Sequence, residues 1–257
     1  MWINRGELLD NQIIKKLIDL NFQFYQTFSA SFSKTRFSVQ PGVKRIVTDY
    51  ILEPISNEKT SILDIGCGNG ELARYLGTTN YKGKYLGIDS SPALLNFSRR
   101  SSAASRFSPT FLVKDITSHN WFAQLSGDAF DRIVSFAVMH HIPGIELRNT
   151  VFQSIRRLIT NDGLFIHSQW QFMNSTKLAN RVIPWETIGL SQSLLDPGDT
   201  LLDWRAEEGK TGYRYVHLFT DDELSKYAAA NGFSIVDSFY SDGKEANLAL
   251  YQIWKPV

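Results

Sequence analysis

The residues best able to do chemistry in this chain fall in one run, Ile62-Leu63-Asp64-Ile65-Gly66-Cys67-Gly68-Asn69-Gly70. An apolar strand that empties into closely spaced glycines lets backbone come right up to a ligand, because no Cβ stands in the way. In parallel sheets such ligands sit beyond the carboxyl ends of the strands. Asp64 narrows the ligand's identity. A pyrophosphate bound at a helix N-terminus is an anion and has no use for a carboxylate beside it, whereas a ligand carrying an ammonium and a sulfonium is attracted by one. The dinucleotide-binding spacing would also put a third glycine where Glu71 stands. Two further acids close later strands. Asp89 suits a pair of ribose hydroxyls, and Asp115 suits the exocyclic amine of adenine. With Asn69 and the neighbouring Ser90, Ile116 and Ala137, they outline a site for an adenosine with a cationic tail. Read singly, Asp89 and Asp115 are also ordinary polar strand ends; the constellation carries the reading. Cys67 belongs to the loop as a small space-filling side chain rather than a nucleophile.

Positioning these groups requires alternating strands and helices. Ser61 to Ile65 reads as a buried strand, followed by a helix from Gly70 to Leu76 that Gly77 stops. Tyr85 to Ile88 is a second strand, and Ser91 with Pro92 opens the next helix. The serine-rich stretch Ser98 to Ser108 reads as a loop. Thr110 to Lys114 and Phe130 to Phe136 are strands three and four. A helix after Gly144 carries Leu147, Val151, Ile155 and Leu158, and Asn161-Asp162-Gly163 turns into strand five, Leu164 to Ser168. Thr220-Asp221-Asp222-Glu223 matches a capping box opening a helix that ends at Gly232. Phe233 to Tyr240 and Asn247 to Trp254 are the last strands. The connection through Ser241-Asp242-Gly243 is too short for a parallel crossover, so this pair must be antiparallel. The expected fold is α/β: a doubly wound, mostly parallel seven-stranded sheet with one antiparallel strand. Residues 1–59 form a helical extension, with helices at 10–28 and 42–55 and a polar segment, Phe32-Ser33-Lys34-Thr35-Arg36, between them. Residues 60–169 form the ligand-binding half. Residues 170–219 lack a period and read as an insertion or lid, with Trp185 and Trp204 as lid packing. Residues 220–257 complete a single domain.

Composition sets outer bounds. Apolar residues make up 43% and charged residues 21%, as in a water-soluble globular chain. No apolar run approaches a membrane span, the first ten residues lack a secretory pattern, and one cysteine excludes an internal disulfide framework. A cytoplasmic protein without metal, membrane or DNA partner is expected. The formal net charge of +1 leaves nucleic-acid binding to a local basic face. Arg99, Arg100, Arg106 and Lys114, with Lys15, Lys16, Lys44 and Arg45, are the residues for one.

Several motifs together resemble one family. Ala137-Val138-Met139-His140-His141-Ile142, Tyr25 followed by Phe32 to Arg36, and the stretch Gly198 to Trp204 followed by Arg214-Tyr215-Val216-His217-Leu218-Phe219 are similar to the tRNA wobble-uridine carboxymethyl methyltransferases. The family pattern is departed from at Asp203, Val216, Gln40-Pro41 and Asn247-Leu248. The resemblance implies S-adenosyl-L-methionine as cofactor, with Tyr25 among its contacts. It also implies tRNA as partner, a carboxylate as methyl acceptor, and an optional small activator subunit. A carboxylate is already ionised at neutral pH, so positioning, not a strong base, is the demand. Arg36 and Arg214 are the candidate carboxylate clamp, and His140 and His217 the candidate hydrogen-bond donors. His141 reads as a structural residue of the turn. The alternative is a small-molecule methyltransferase of the same fold, acting on a free carboxylate or hydroxyl. A non-catalytic binding subunit is disfavoured by the intact glycines and acids.

Overall fold

The computed structural model describes residues 9–34, 38–52, 60–102, 107–125, 127, 129–207 and 210–257. Helix α1 (Asn11–Thr27) begins where Asp10 caps the Gln12 N–H at 2.7 Å. A short α2 (Ser29–Lys34) follows, so the polar segment between the two expected helices is itself helical as far as Lys34. Thr35 and Arg36 lie outside the described residues. Helix α3 (Pro41–Ile46) continues into a π-type turn, Val47–Leu52, where one α-helix is expected; the expected end at residue 55 lies outside the described residues.

Strands β1 (Ser61–Ile65), β2 (Lys84–Asp89), β3 (Thr110–Val113), β4 (Phe130–Phe136) and β5 (Ile159–Trp170) are parallel. They alternate with α4 (Glu71–Leu76), α5 (Pro92–Ser102) and α6 (Ile145–Leu158). The expected turn at Asn161-Asp162-Gly163 is an irregularity inside β5, where Phe130 pairs with Ile159 and Arg132 already pairs with Leu164. After β5 come a short α7 (Thr176–Ala179), the strands β6 (Val182–Ile183), β7 (Asp199–Glu207) and β8 (Lys210–His217), and α8 (Asp221–Ala230). Strands β9 (Phe233–Ser241) and β10 (Ala249–Pro256) end the chain. The large sheet has the order β3-β2-β1-β4-β5-β10-β9, and β10 runs antiparallel to both of its neighbours, as expected.

Alternation along each strand feeds two cores. Leu63, Ile65, Ile133, Phe165 and Trp254 face α6 and α8, meeting Val151, Phe152, Ile155, Leu224 and Tyr227. Ile62, Val134, Ile166 and Ile253 face the other way, onto Val43, Ile46, Leu72, Leu76 and Leu95 of α3, α4 and α5. Both faces are covered, which a parallel sheet requires.

Two expectations are corrected. The serine-rich run is helical as far as Ser102, because Ser98 is buried against the glycine loop: its Oγ donates to the Gly68 carbonyl at 2.7 Å and also lies 3.3 Å from the Leu94 carbonyl. The insertion has regular structure although its sequence shows no period. It forms a second, three-stranded antiparallel sheet, β6-β7-β8, that packs Leu201 and Tyr215 against Leu17 of α1 and Trp185. No described helix is long and apolar enough to cross a membrane.

Candidate active site

Strand β1 delivers Asp64 and then the loop. Gly66, Gly68 and Gly70 hold φ values of 70°, 55° and 76°. A Cβ on Gly66 would stand 2.4 Å from Val138, and one on Gly70 2.9 Å from Ser98. The Gly66 and Cys67 N–H groups both donate to the Ile88 carbonyl, at 2.8 and 3.0 Å. The Gly68 N–H donates to Asp89 Oδ2 at 3.0 Å, and the Ser91 N–H to Oδ1 at 2.8 Å. The loop, β2 and the start of α5 are therefore mutually pinned, and the Asp89 carboxylate is fixed by backbone donors before any ligand arrives. Ser91 also accepts from the Leu94 N–H at 3.2 Å, the cap expected for α5.

These elements open onto a cavity of about 680 Å³ at the carboxyl edge of the sheet, a volume typical of cofactor sites. It gathers Tyr25, Asp64, Gly66, Cys67, Gly68, Asn69, Asp89, Ser90, Asp115, Ile116, Ala137, His140 and Arg214 from the expected set. Gly70 does not line it but packs on Ser98 behind the loop, so its part is conformational. Cys67 fills the space over Gly87, as its small side chain implied. Asp115 Oδ1 accepts from the Thr117 N–H and hydroxyl at 2.9 and 2.6 Å. Asp64 is nearly inaccessible and accepts a hydrogen bond from the Tyr85 hydroxyl. Burial, reinforced by the charge of Asp89 and opposed by the Tyr85 hydrogen bond, pushes its carboxyl up to about 7. Burial raises Asp89 as well. Two carboxylates held in a desolvated cleft favour a cationic ligand, so the residues present fit an adenosine with a sulfonium and an ammonium.

The acceptor end is built from the turn after β4 and from β5 and β8. Ala137 is a non-glycine residue at φ 58°, held by its N–H donating to both the Ser168 carbonyl and Oγ at 3.1 Å. His140 is 1% exposed, and its Nδ1 accepts from the Trp170 N–H at 3.3 Å. Burial, with the nearby His141 and Arg214 charges, pushes its imidazole well below the usual histidine range. It is therefore neutral, with its hydrogen on Nε2. Arg214 is only 5% exposed, its guanidinium lies 4.9, 5.2 and 5.1 Å from the ring centres of Phe24, Trp170 and Trp204, and its Nε has no hydrogen-bond partner. No described carboxylate pairs with it.

His217 is a correction. It is buried away from the cavity, with Nδ1 2.7 Å from Asp199 and Nε2 3.0 Å from Glu223, beside Arg148. This network ties α6, β8 and α8 together and leaves the imidazole no path to an acceptor. The expectation for Arg36 lies outside the described residues. Reasoning from sequence did not nominate Ser168, Trp170, Asp242 or Tyr251, all of which line the cavity. The rule that strand ends face ligands would have found Ser168 and Trp170, which close β5. Asp242 and Tyr251 face the cavity only because the terminal hairpin folds beside β5, a tertiary placement.

A seven-stranded sheet of this order, with an adenosine-and-cation cradle at its carboxyl edge, defines a class I S-adenosylmethionine-dependent methyltransferase. Residues 38–238 match the family described as Methyltransferase domain, and the chain belongs to it. A protein of Encephalitozoon cuniculi that carries the name of a methyltransferase is 25% identical over 84% of this chain and 87% of its own length. The cyclopropane-fatty-acyl-phospholipid synthase of Escherichia coli is 27% identical over 72% of this chain, which spans 44% of that enzyme. Among solved structures, the PH0226 protein of Pyrococcus horikoshii superposes with TM-score 0.64 at 15% identity, covering 92% of this chain and 96% of its own. An S-adenosylmethionine-dependent methyltransferase of Anabaena variabilis gives 0.61 at 19% identity, covering 98% of both chains. These likenesses agree with the fold. The enzyme is a methyltransferase and its cofactor is S-adenosylmethionine.

Proposed function

We propose that this enzyme methylates a carboxylate, and that the acceptor is the carboxymethyl group of a modified wobble uridine in tRNA. The observation that carries the carboxylate is Arg214. A buried guanidinium with no counter-ion among the described residues is costly, and it is retained at a place where an anion can enter. Its planar fork matches a carboxylate, and its aromatic surround keeps it oriented. His140, neutral with Nε2–H as donor, stands in the same cavity. When bound, the cofactor supplies an electrophilic methyl on sulfur. The protein's part is to hold the acceptor oxygen in line and exclude water; no side chain has to remove a proton.

The nucleic-acid acceptor is supported by the two stretches that carry the family resemblance, from each of which one residue, Tyr25 and Arg214, lines the cleft, and the helix that carries Tyr25 packs against the strand that carries Arg214. Asn21 of α1 pairs with the backbone of Tyr215, accepting its N–H at 2.9 Å and donating to its carbonyl at 3.1 Å. Phe24 lies against Arg214. The second reading, a compact free acid, is favoured by the cover that Ile18, Phe22 and Tyr25 of α1 place along the cavity. Nucleoside analysis of total tRNA after deletion of the gene separates them. Loss of one methyl-ester nucleoside, with its free acid accumulating, supports tRNA. An unchanged nucleoside profile supports the small acid.

A further inference from the structure

Asp242 lines the cavity, yet neither the cofactor cradle nor the Arg214 end uses it. It follows β9 with φ 68°, a left-handed conformation for which glycine is the ordinary choice. Its side chain is nearly buried and held from two sides. The Gly42 N–H donates to Oδ1 at 2.8 Å, and the Tyr251 hydroxyl donates to Oδ2 at 2.6 Å. The α3 backbone comes this close because residue 42 has no Cβ; one there would stand 2.3 Å from the Tyr251 ring. Each carboxylate oxygen has two acceptor positions, so each keeps one after these bonds. Tyr251 lines the cavity and Gly42 does not, so Oδ2 is the oxygen turned toward it.

We infer that Asp242 accepts a hydrogen bond from a ring N–H of the methyl acceptor, and so determines which base is methylated. The inference rests on the proposed acceptor, a pyrimidine that carries a carboxymethyl arm. Position along the sheet assigns Asp242 to the acceptor rather than to the cofactor. The glycine loop follows β1, and Asp89 and Asp115 stand on the far side of it, at the ends of β2 and β3. Strand β10 lies three strands from β1 in the other direction, about 14 Å at the usual spacing. The floor on that side is one face of β5 and β10. Trp170 pairs with Ala249 and Ser168 with Tyr251, and all four line the cavity. The two rungs are about 7 Å apart. Arg214 lies over Trp170 on the first rung, and Asp242 bonds to Tyr251 on the second. An acceptor on this floor therefore meets a guanidinium at one end and a carboxylate at the other. In a 5-carboxymethyluracil the acid arm and the imide N–H flank the same ring carbonyl, so one molecule offers both groups. In the corresponding cytosine that ring nitrogen carries a lone pair, which Oδ2 repels.

The test compares two synthetic anticodon stem-loops, one with 5-carboxymethyluridine and one with 5-carboxymethylcytidine at the wobble position. Methyl transfer is measured as kcat/KM with the wild type and with Asp242→Asn, and calorimetry gives the affinity of each protein for S-adenosylmethionine. Asparagine keeps an oxygen for the Gly42 N–H and puts an amide N–H where Oδ2 stands, with the Tyr251 hydroxyl turning to accept. Expected is a wild-type preference for uridine of about tenfold or more. In Asp242→Asn it should fall to about twofold or reverse, with cofactor affinity unchanged. The ratio of two acceptors on one protein is a readout that a purely structural aspartate would not move. The wild-type comparison needs no variant, so the inference does not depend on Asp242→Asn folding. Equal use of the two stem-loops by the wild type, or a uridine preference that survives in Asp242→Asn, overturns the inference. Lost affinity for S-adenosylmethionine in Asp242→Asn overturns it too, since the carboxylate would then serve the cofactor's ammonium. A wild type that methylates neither stem-loop overturns the acceptor reading, and the inference with it.

Discussion

Arg214 and His217 look equivalent in the sequence, two polar residues in one stretch, yet only the first reaches the cavity. They are three positions apart on β8, and an odd separation on a strand puts side chains on opposite faces. Once the stretch is known to be a strand, one of the two is excluded; the sequence showed no period there, so both stayed candidates. Removing the guanidinium in Arg214→Ala should lower turnover on the order of a hundredfold while cofactor affinity holds. Arg214→Lys should stay impaired, because it keeps the charge and loses the fork. Single-turnover kinetics set beside calorimetry check both. Asp64 was legible from its place before the glycines, but its protonation depends on Tyr85 and on burial, which spacing does not reveal. Its carboxyl is raised to about 7 in the ligand-free protein, so below that pH it is mostly protonated. A cationic ligand restores the carboxylate, so binding of S-adenosylmethionine at pH 6 should expel protons, and affinity should rise from pH 6 to 8 before flattening. Calorimetry in buffers of different ionisation enthalpy measures this, and Asp64→Asn should remove most of it. By the same shift, Asp64 contributes stability to the ligand-free fold that is present below about pH 4 and lost as pH rises through 7.

Between elements, the organising feature is Arg148. It sits on α6, is 2% exposed, and donates to the Ile142 carbonyl at 2.9 Å and the Tyr215 hydroxyl at 3.1 Å, with Asp199 at 3.3 Å and Glu223 at 3.4 Å. The expected capping box at α8 is half realised for this reason. Thr220 does accept from the Glu223 N–H at 3.1 Å, but the Glu223 side chain turns to His217 and Arg148. Arg148→Ala would leave the buried Asp199 carboxylate without its guanidinium partner, at a cost of up to about 3–5 kcal/mol. Thermal denaturation should show a correspondingly lower midpoint. His217→Gln should lose a smaller part of that stability and keep the wild-type affinity for S-adenosylmethionine, as expected of a residue outside the cavity. The strands and helices of the cofactor half were legible because glycine, proline and cap residues mark their ends. The serine-rich end of α5 was not, because Ser98 is helical through its contact with Gly68, a partner thirty positions away.

For the molecule as a whole, the terminal hairpin was legible from the length of one connection, and with it the class of sheet. The cover over the cleft was not. It arises because α1 lays Leu17 on the insertion sheet and Asn21 on the Tyr215 backbone, joining stretches nearly two hundred positions apart. That joined cover meets the cleft where Tyr25 and Arg214 line it. The most direct measurement is transfer of labelled methyl from S-adenosylmethionine to tRNA that carries unesterified carboxymethyluridine, followed by mild alkali. Methyl esters release their label in base, whereas methyl groups on ring nitrogen, carbon or ribose oxygen keep it. The account predicts label that enters tRNA with the wild type, leaves it in alkali as methanol, and is nearly absent with Arg214→Ala. Label that survives alkali, or equal incorporation by Arg214→Ala, would contradict it.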